Sequence, residues 1–250
     1  MDHILTYAYN EPLSIIAILT FIFYLYSLLE FYLGTKSLMD LKEIPPFQGN
    51  ELPFVSIIIP ARNEESKIKA ALSSVLRLDY PNYDVTVIND RSEDRTGEIL
   101  EEMSGTDPKL KVIHLDTLPP GWLGKNYVLD LGARQAKGEY LLFTDADVVY
   151  KPDTLRRAIP YAKEKGIDHL SMAPSHIYRK VFLTSVVSIF EFFFMMKFKP
   201  WKARDPKSKR FIGIGSFNMM SAKAYKETGG FNTLRMRPDD DIMLGKLAKK

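Results

Sequence analysis

Two aspartates separated by one alanine, Asp145 and Asp147, follow directly after an apolar run at residues 141–143. The sequence places no lysine or arginine next to them, and carboxylates this close repel each other unless a positive charge lies between them. Such hard oxygen ligands suit Mg²⁺ or Mn²⁺, and either ion also binds phosphate oxygens. The doublet therefore indicates a divalent metal site that acts on a phosphate-bearing molecule.

Two further acidic groups fall at turns or at the ends of predicted strands. Asp90 ends the run of residues 83–90, and three aspartates occupy Asp239–Asp241 after a proline. Aspartate commonly caps helices and turns. Any one of these groups alone is therefore more readily explained as structural than as functional.

The loop at residues 119–126 is a weak phosphate-binding signal. It contains Gly121, Gly124 and Lys125 just before a predicted helix, whose N-terminus favours anions. It is not a Walker A loop, and no GxGxxG follows the first strand. The glycines of "GIGS" at residues 213–216 come too late in the chain, and the motif is too short, for a nucleotide-binding fingerprint.

The elements that must position these residues alternate between strand and helix. Strand patterns cover residues 55–59, 83–90, 111–115 and 140–147, and segments with helical apolar spacing lie between them. This alternation predicts a mostly parallel α/β sheet covered by helices on both faces. Ligands bind beyond the carboxyl ends of such strands, where Asp90 and Asp145 fall.

Three local boundaries are also predicted. We expect the first strand to end at Pro60 and Asn63 to be the N-cap of the next helix. We expect the helix after the 119–126 loop to end at Gly138.

The composition excludes several classes of protein. The chain has 250 residues, 46% hydrophobic and 26% charged, which is typical of one folded domain with room for an appendage. It contains no cysteine, so disulfides and thiolate chemistry are excluded. Its four histidines are scattered, and a net charge of +3 is too small to indicate nucleic acid.

The N-terminal region predicts a membrane anchor. Residues 13–29 carry no charge, and a span of about 13–34 is long enough to cross a bilayer. Acidic residues precede this span and basic residues come after it: Asp2 and Glu11, then Lys36 and Lys42. The positive-inside rule then places the rest of the chain in the cytoplasm, as a single-pass protein of the cell (inner) membrane. A signal peptide and a buried core helix are the alternatives.

The order of motifs resembles a known family. "VSIIIPARNEE", "VINDRSEDRT", "GWLGKN", "LLFTDADV", "GGF" and "PDDDIMLGKL" occur in that order between Pro53 and Leu247. In this respect the chain is similar to the family 2 glycosyltransferases, which have a GT-A (Rossmann-like) fold. "GWLGK" and the predicted anchor resemble its membrane-bound ceramide-glucosyltransferase-like and hopanoid-associated branch.

The resemblance implies a role for each matching residue. The nucleotide pocket would be lined by Pro60, Ala61, Asn63 and Glu64, with Asp90 on the base or ribose and Lys125 beside the diphosphate. Asp145 and Asp147 would form the DxD motif, with Asp147 the direct ligand of Mg²⁺ or Mn²⁺. Gly229, Gly230 and Phe231 would line the acceptor side. Asp240 and Asp241 align with a Glu-Asp pair whose second carboxylate is the general base.

The chain departs from the family pattern in three places. Asn89 stands where an aspartate is common, and Asp240 replaces glutamate, which leaves Asp240 and Asp241 both open as the base. Asp241 is favoured because Leu244 and Leu247 then take the expected apolar helix positions. A "QxxRW"-like motif found downstream in many relatives is absent, so we expect the sequence to be a piece of a longer protein.

A second apolar segment, residues 181–202, is long enough to be mistaken for another span. One crossing there would put Asp145 and Asp241 on opposite sides of the membrane, so we expect an interfacial helix. Its basic end would contact anionic lipid through Lys197, Lys199, Trp201, Lys202 and Arg204. The alternative is a core helix with a solvated basic tail.

The expected organisation is an anchor at residues 1–42, a proline-broken linker at 43–53 and a glycosyltransferase domain at 54–250. The resemblance implies a metal-dependent inverting transfer from a nucleotide-sugar, a UDP-sugar being favoured, to a lipid or other hydroxyl acceptor. A nucleotidyltransferase or a non-catalytic nucleotide-sugar-binding subunit is the alternative. The acidic "ARNEE" after the first strand disfavours the former, and "PDDD" disfavours the latter.

Overall fold

The computed structural model describes residues 12–49, 51–175 and 181–249. The chain divides into two compact units: residues 1–39 with 178–210, and residues 40–177 with 211–250. The described site residues all belong to the second unit, and both long apolar helices belong to the first. The segment 181–202 therefore groups with the N-terminal helix.

The second unit is built on a six-stranded sheet with the order β3-β2-β1-β4-β6-β5. The strands are β1 Val55–Ala61, β2 Tyr83–Asp90, β3 Leu110–Leu115, β4 Tyr140–Phe143, β5 His169–Ser171 and β6 Asn218–Ser221. Strand β1 pairs in parallel with β2 and β4, and β2 pairs in parallel with β3, whereas β6 is antiparallel to β4 and β5. The predicted mixed, mostly parallel sheet is confirmed.

Helices cover both faces of this sheet. In chain order the helices are α1 Pro12–Lys36, α2 Ile68–Leu76, α3 Thr96–Ser104, α4 Gly124–Gln135, α5 Thr154–Glu164, α6 Val181–Phe198, α7 Ala222–Thr228 and α8 Asp240–Ala248. Helices α2, α3 and α5 pack on the face that carries Ile57 and Ile59, and α4, α7 and α8 pack on the face that carries Ile58. Because both faces are covered, β1 is apolar at consecutive positions.

The prediction that Pro60 ends the first strand is wrong, because β1 continues through Pro60 to Ala61. The Ile58 carbonyl accepts a hydrogen bond from the Thr144 N–H at 3.2 Å, so it faces β4. Residues two apart in a strand point the same way, so the nitrogen of Pro60 faces the side where β4 has ended at Phe143. The missing N–H therefore removes no bond between strands.

The prediction that Asn63 caps the next helix is also wrong. Helix α2 begins at Ile68, and Asn63 has a φ of +55°, a left-handed conformation that asparagine adopts more readily than most residues. Its side-chain oxygen accepts a hydrogen bond from the Glu93 N–H at 2.8 Å, and its own N–H donates to Ser92 Oγ at 3.0 Å. Asn63 thus connects the loop after β1 to the loop after β2.

The predicted end of the helix after the 119–126 loop is also wrong. Helix α4 ends at Gln135, short of the predicted Gly138.

The segment predicted as a linker is held against α5. The Phe47 N–H donates to the Arg156 carbonyl at 3.0 Å, and the Arg156 guanidinium donates to the Phe47 carbonyl at 2.9 Å. The second unit accordingly begins at Asp40.

The first unit consists of α1, α6 and a short 3₁₀ turn, Pro200–Lys202. Two helices, Pro12–Lys36 and Val181–Lys202, are apolar and long enough to cross a membrane, and their apolar windows are 0% buried. Lys199 and Lys202, predicted to contact lipid, instead pair with Glu30 at 2.6 and 2.5 Å. Asp2 and Glu11, on which the predicted orientation partly depends, lie outside the described residues.

Candidate active site

The order of the sheet reverses at β1, since β2 and β3 lie to one side of it and β4 lies to the other. Ligands of α/β sheets bind in the crevice at such a reversal. A cleft opens there between the carboxyl ends of β1 and β4. Its lining is Pro60, Lys125, Leu129, Phe143, Thr144, Asp145, Gly215, Asn218, Phe231, Asp240 and Asp241. Six residues to which the resemblance gave a role, from five motifs, therefore share one cleft.

Lys125 connects two of the predicted acidic groups. Its Nζ lies 2.9 Å from Asp145 Oδ1 and 3.9 Å from Asp240 Oδ2. Burial lowers the pKa of Lys125, but the carboxylates of Asp240 and Asp145 outweigh this and raise it above its usual value. Lys125 is therefore a fixed positive charge at the first turn of α4, between the DxD turn and the start of α8.

Asp240 is the buried carboxylate of the cleft, with 5% of the residue exposed. Burial raises its pKa to about 6, although the charge of Lys125 acts in the opposite direction. Its Oδ2 is buried and has no hydrogen-bond partner in the part of the chain that the structure describes. Asp240 is thus a carboxylate that changes its protonation state near neutral pH.

Asp241 is half-buried, and backbone donors hold its carboxylate. Its Oδ2 accepts a hydrogen bond from the Gly215 N–H at 3.1 Å, and its Oδ1 accepts one from the Ile242 N–H at 2.7 Å. In addition, the Asn218 side chain donates to the Asp241 carbonyl at 3.0 Å. These three bonds fix the direction in which Asp241 faces the cleft.

Gly215 was not predicted as a site residue, although it contacts both ends of the cleft. While its N–H donates to Asp241, its carbonyl accepts from the Asp145 N–H at 3.1 Å. A Cβ on Gly215 would lie 2.5 Å from Asp145 Oδ2, so a side chain there would collide with that carboxylate. The "GIGS" glycines do not form a nucleotide-binding fingerprint. The signal in the sequence is glycine itself, because a glycine in or beside a strand often marks a place where the backbone lies close to another group.

Asp147 lies beside the cleft and outside its lining. Its Oδ2 is 2.8 Å from Lys67 Nζ, and both side chains are exposed. Burial raises the pKa of the nearby Glu64, and the negative charge of Asp147 adds to this. Both DxD carboxylates therefore contact a lysine that is remote in sequence, although no lysine adjoins the doublet in the chain.

The DxD carboxylates fit a metal ion that is shared with a substrate. In residues 12–49, 51–175 and 181–249, no three His, Asp or Glu side chains form a group that could hold an ion on their own. Mg²⁺ is commonly held by one or two carboxylates together with substrate phosphates. The ammonium of Lys67 already shows that a cation can be held at Asp147. Asp145 and Asp147 would hold the ion.

The remaining predicted nucleotide residues, Ala61, Asn63, Glu64 and Asp90, are not part of the cleft lining. Asp90 is buried at the end of β2, where its Oδ1 accepts from Arg91 Nε at 2.7 Å. Gly124 packs so closely on Asp90 Oδ2 that it leaves no space for a side chain. Asp90 therefore lies against the first turn of α4, next to Lys125, whereas Ala61 is buried and Asn63 bridges two loops.

Asn126 is a second residue whose role was not predicted. It is 1% exposed, and its side chain donates to the carbonyls of Leu234 at 2.5 Å and Arg237 at 2.9 Å. Asn126 thereby fixes the segment that leads into α8 against α4. Among the residues predicted to line the acceptor side, Gly229 has a φ of +78°, and Phe231 packs edge-on against Phe143.

Comparison with known proteins identifies the family. A family model described as "Glycosyl transferase family 2" matches residues 56–229. The chain therefore belongs to glycosyl transferase family 2.

Curated relatives include two enzymes named for lipid products or substrates. The chain is 27% identical over 201 residues to the 4,4'-diaponeurosporenoate glycosyltransferase of Staphylococcus haemolyticus, covering 80% of this chain and 52% of that protein. It is 37% identical over 121 residues to the beta-monoglucosyldiacylglycerol synthase of Trichormus variabilis, covering 47% of this chain and 25% of that protein. The chain thus spans about half or less of the length of these relatives.

Solved structures show the same fold. The mannosyltransferase PcManGT of Pyrobaculum calidifontis, in complex with GDP-Man and Mn²⁺, superposes with a TM-score of 0.66 at 23% identity, over 91% of this chain and 61% of that one. Residues 1–349 of Staphylococcus aureus TarS, in complex with UDP-GlcNAc, give a TM-score of 0.52 at 22% identity, over 78% and 53%. The fold of the second unit is GT-A-like.

Proposed function

We propose that the chain is a metal-dependent, inverting glycosyltransferase that moves a sugar from a nucleotide-sugar to a hydroxyl acceptor. A UDP-sugar is the favoured donor. The observation that carries this proposal is the position of Lys125, whose ammonium contacts the DxD residue Asp145 and faces Asp240 at the start of α8. Family membership supports it further.

On the donor side, Pro60, Ala61, Asn63, Glu64 and Asp90 surround the nucleotide. Mg²⁺ or Mn²⁺ bound at Asp145 and Asp147 would act as a Lewis acid on the diphosphate. Lys125 adds a second positive charge where the leaving group gains negative charge, and the α4 N-terminus contributes in the same direction. These groups favour departure of the nucleoside diphosphate.

On the acceptor side, Asp241 takes the proton. The acceptor oxygen attacks the anomeric carbon, the bond from that carbon to the phosphate oxygen breaks, and the nucleoside diphosphate leaves with the electron pair. The hydroxyl proton passes to the Asp241 carboxylate. Because the attack comes from the face opposite the leaving group, the configuration inverts.

Asp241 is favoured over Asp240 as the base because of access. Asp241 is half-buried and faces the cleft, whereas only 8% of the Asp240 side chain is exposed and that side chain faces Lys125. Asp240 instead contributes to the electrostatics around Lys125. Its pKa of about 6 would suit a base, so Asp240 is the alternative.

The acceptor is proposed to be a lipid at the cytoplasmic face of the cell membrane. Two relatives carry names that refer to diaponeurosporenoate and to a glucosylated diacylglycerol. The first unit also exposes apolar helices long enough to lie in or across a bilayer. We therefore keep residues 1–42 as a single-pass anchor, α6 as an interfacial helix and the ceramide-glucosyltransferase-like branch as parts of the proposal.

A transfer assay tests this function. The full chain in detergent micelles would receive a panel of nucleotide-sugars with Mn²⁺ and a total lipid extract, and products would be identified by mass spectrometry. A glycosylated lipid, together with release of nucleoside diphosphate, is the expected result. Release of sugar 1-phosphate, with the nucleotide transferred to the acceptor, would indicate a nucleotidyltransferase, and donor binding without turnover would indicate a binding subunit.

A further inference from the structure

The stretch after α6 is strongly basic. Between residues 197 and 210 the chain has seven lysines and arginines but a single acidic residue, Asp205. This stretch continues directly from an apolar helix whose large side chains are exposed. Its basic residues fall into two groups that differ in exposure and in partner.

The first group, Lys199 and Lys202, forms ion pairs within the first unit. Both contact the carboxylate of Glu30 on α1, whose side chain is only 11% exposed. A carboxylate on an apolar helix is costly in a membrane unless it is paired. These two lysines therefore neutralise Glu30 and attach the turn after α6 to α1.

This attachment lies at one end of α1. The Phe31 ring centroid is 4.9 Å from that of Phe192 and 6.1 Å from that of Trp201, and Gly34 packs directly on the Trp201 ring. The basic stretch is thus held level with residues 30–34, close to where α1 ends at Lys36. That is the depth at which a spanning helix meets the lipid headgroups.

The second group consists of five exposed side chains: Lys197, Arg204, Lys207, Lys209 and Arg210. Among the described residues, no carboxylate forms a salt bridge with any of them. Basic side chains near a membrane surface are attracted to anionic lipid headgroups. A cluster at headgroup depth, beside an apolar helix, is complementary to a phosphate-bearing membrane surface.

We propose that these five side chains form a binding site for anionic phospholipid headgroups, at a depth set by the pairing of Glu30 with Lys199 and Lys202. This inference rests on the proposed membrane location. Neighbouring basic residues therefore have separate roles. Lys199 and Lys202 fix the position of the basic stretch against α1, and the five exposed residues select the lipid.

Trp201 provides a local probe, because Trp122 is the only other tryptophan in the chain. A Trp122→Phe background would be reconstituted as the full chain in vesicles that contain brominated phosphatidylglycerol or brominated phosphatidylcholine, each over the same series of lipid fractions. Brominated chains quench tryptophan on contact. We expect phosphatidylglycerol to quench Trp201 at a several-fold lower fraction, and this preference to weaken as salt is raised.

Two charge variants sharpen the experiment. The first replaces all five exposed basic residues with glutamine and should lose the preference. The matched control makes the same change in net charge in the second unit, at Lys69, Lys109, Lys137, Lys151 and Lys163, and should keep it. An unchanged Trp201 spectrum in phosphatidylcholine vesicles would show that the first variant is folded.

The outcomes separate this site from the membrane location itself. Equal quenching by the two lipids, or a preference that survives in the five-residue variant, would overturn the headgroup site while leaving the membrane location intact. Absence of quenching by either lipid, together with failure of the full chain to float with vesicles of either lipid, would overturn both.

Discussion

The turn after β4 and the first turn of α8 both carry neighbouring aspartates, yet the two regions differ in exposure and in partners. Asp145 and Asp147 have side chains that are 40% and 41% exposed, and each contacts a lysine. Asp240 is buried, and Asp241 is held by backbone N–H groups. The first region suits an exchangeable cation and the second suits a proton, so environment, not residue type, separates their roles.

The largest effect, a loss of turnover, is expected from substitution of Asp241, the proposed general base. Asp241→Asn removes the base while keeping the shape of the side chain, so turnover should fall by about 10²–10⁴-fold with donor affinity nearly unchanged. Steady-state kinetics and calorimetry measure the two quantities. Asp239→Asn is the matched control, because Asp239 belongs to the same acidic run but pairs with Arg237 at 2.7 Å, and it should keep full turnover. Full turnover in Asp241→Asn would assign the proton transfer elsewhere, with Asp240 the first alternative.

Asp240 should give the next largest effect, on stability. Its pKa is about 6 in the folded chain, against an ordinary value of 3.8. The unfolded chain therefore releases this proton first, and folding loses up to about 3 kcal/mol as the pH rises from about 4 to 7. Asp240→Asn removes this loss, so its free energy of unfolding relative to the wild type should increase over that pH range. Chemical unfolding in detergent and chelator measures it.

The control variant, Asp239→Asn, should show the opposite change of stability with pH. Hydrogen bonds from Arg237 lower the pKa of Asp239, so Asp239→Asn should lose a little stability relative to the wild type as the pH rises. A difference between Asp240→Asn and the wild type that does not change with pH would contradict the burial of an ionisable Asp240.

Gly215→Ala tests whether the two regions depend on each other. The new Cβ would lie 2.5 Å from Asp145 Oδ2, so either that carboxylate or the Gly215 segment, with its bonds to Asp145 and Asp241, must move. A displacement of about 1 Å can lower kcat/KM by up to about 10²-fold, and we expect KM for the donor and kcat both to change. Gly105→Ala, where the nearest atoms are 3.7 Å away, is the control. If the variant alters only one parameter, the two regions are independent.

The smallest effect is expected at Lys67. Its ammonium competes with a metal ion for Asp147, and an exposed ion pair of this kind is weak. Lys67→Gln should therefore raise the Mn²⁺ affinity of the donor-free chain by up to about fivefold, as measured by electron paramagnetic resonance. Lys69→Gln removes an equivalent charge that pairs with Glu102, and should leave the affinity unchanged. Weaker Mn²⁺ binding in Lys67→Gln would show that Lys67 supports the site.

Much of the sheet could be predicted because its signals are local. Strands β1 and β2 are buried on both faces and read as apolar runs, and the helices between strands keep their apolar spacing. The errors at Pro60 and Asn63 have a different origin. Whether a proline or a left-handed residue fits depends on the neighbouring strand and loop, which the local sequence does not contain.

The site was predictable in its residue types but not in its electrostatics. Of the acidic residues that the motifs single out, Asp145, Asp240 and Asp241 line one cleft, whereas Asp90 and Asp147 do not. The contact of Lys67 with Asp147 joins residues 80 positions apart, and that of Lys199 with Glu30 joins residues 169 positions apart. No periodicity or motif reports such pairs, since only the folded chain determines which charges meet.

Donor binding with and without a cation tests the central claim most directly. Calorimetric titration of the full chain with a UDP-sugar should give binding in Mn²⁺ that is largely lost in chelator and in Asp147→Asn. Equal affinity in Mn²⁺, in chelator and in Asp147→Asn would contradict a diphosphate held through a metal ion at the turn after β4.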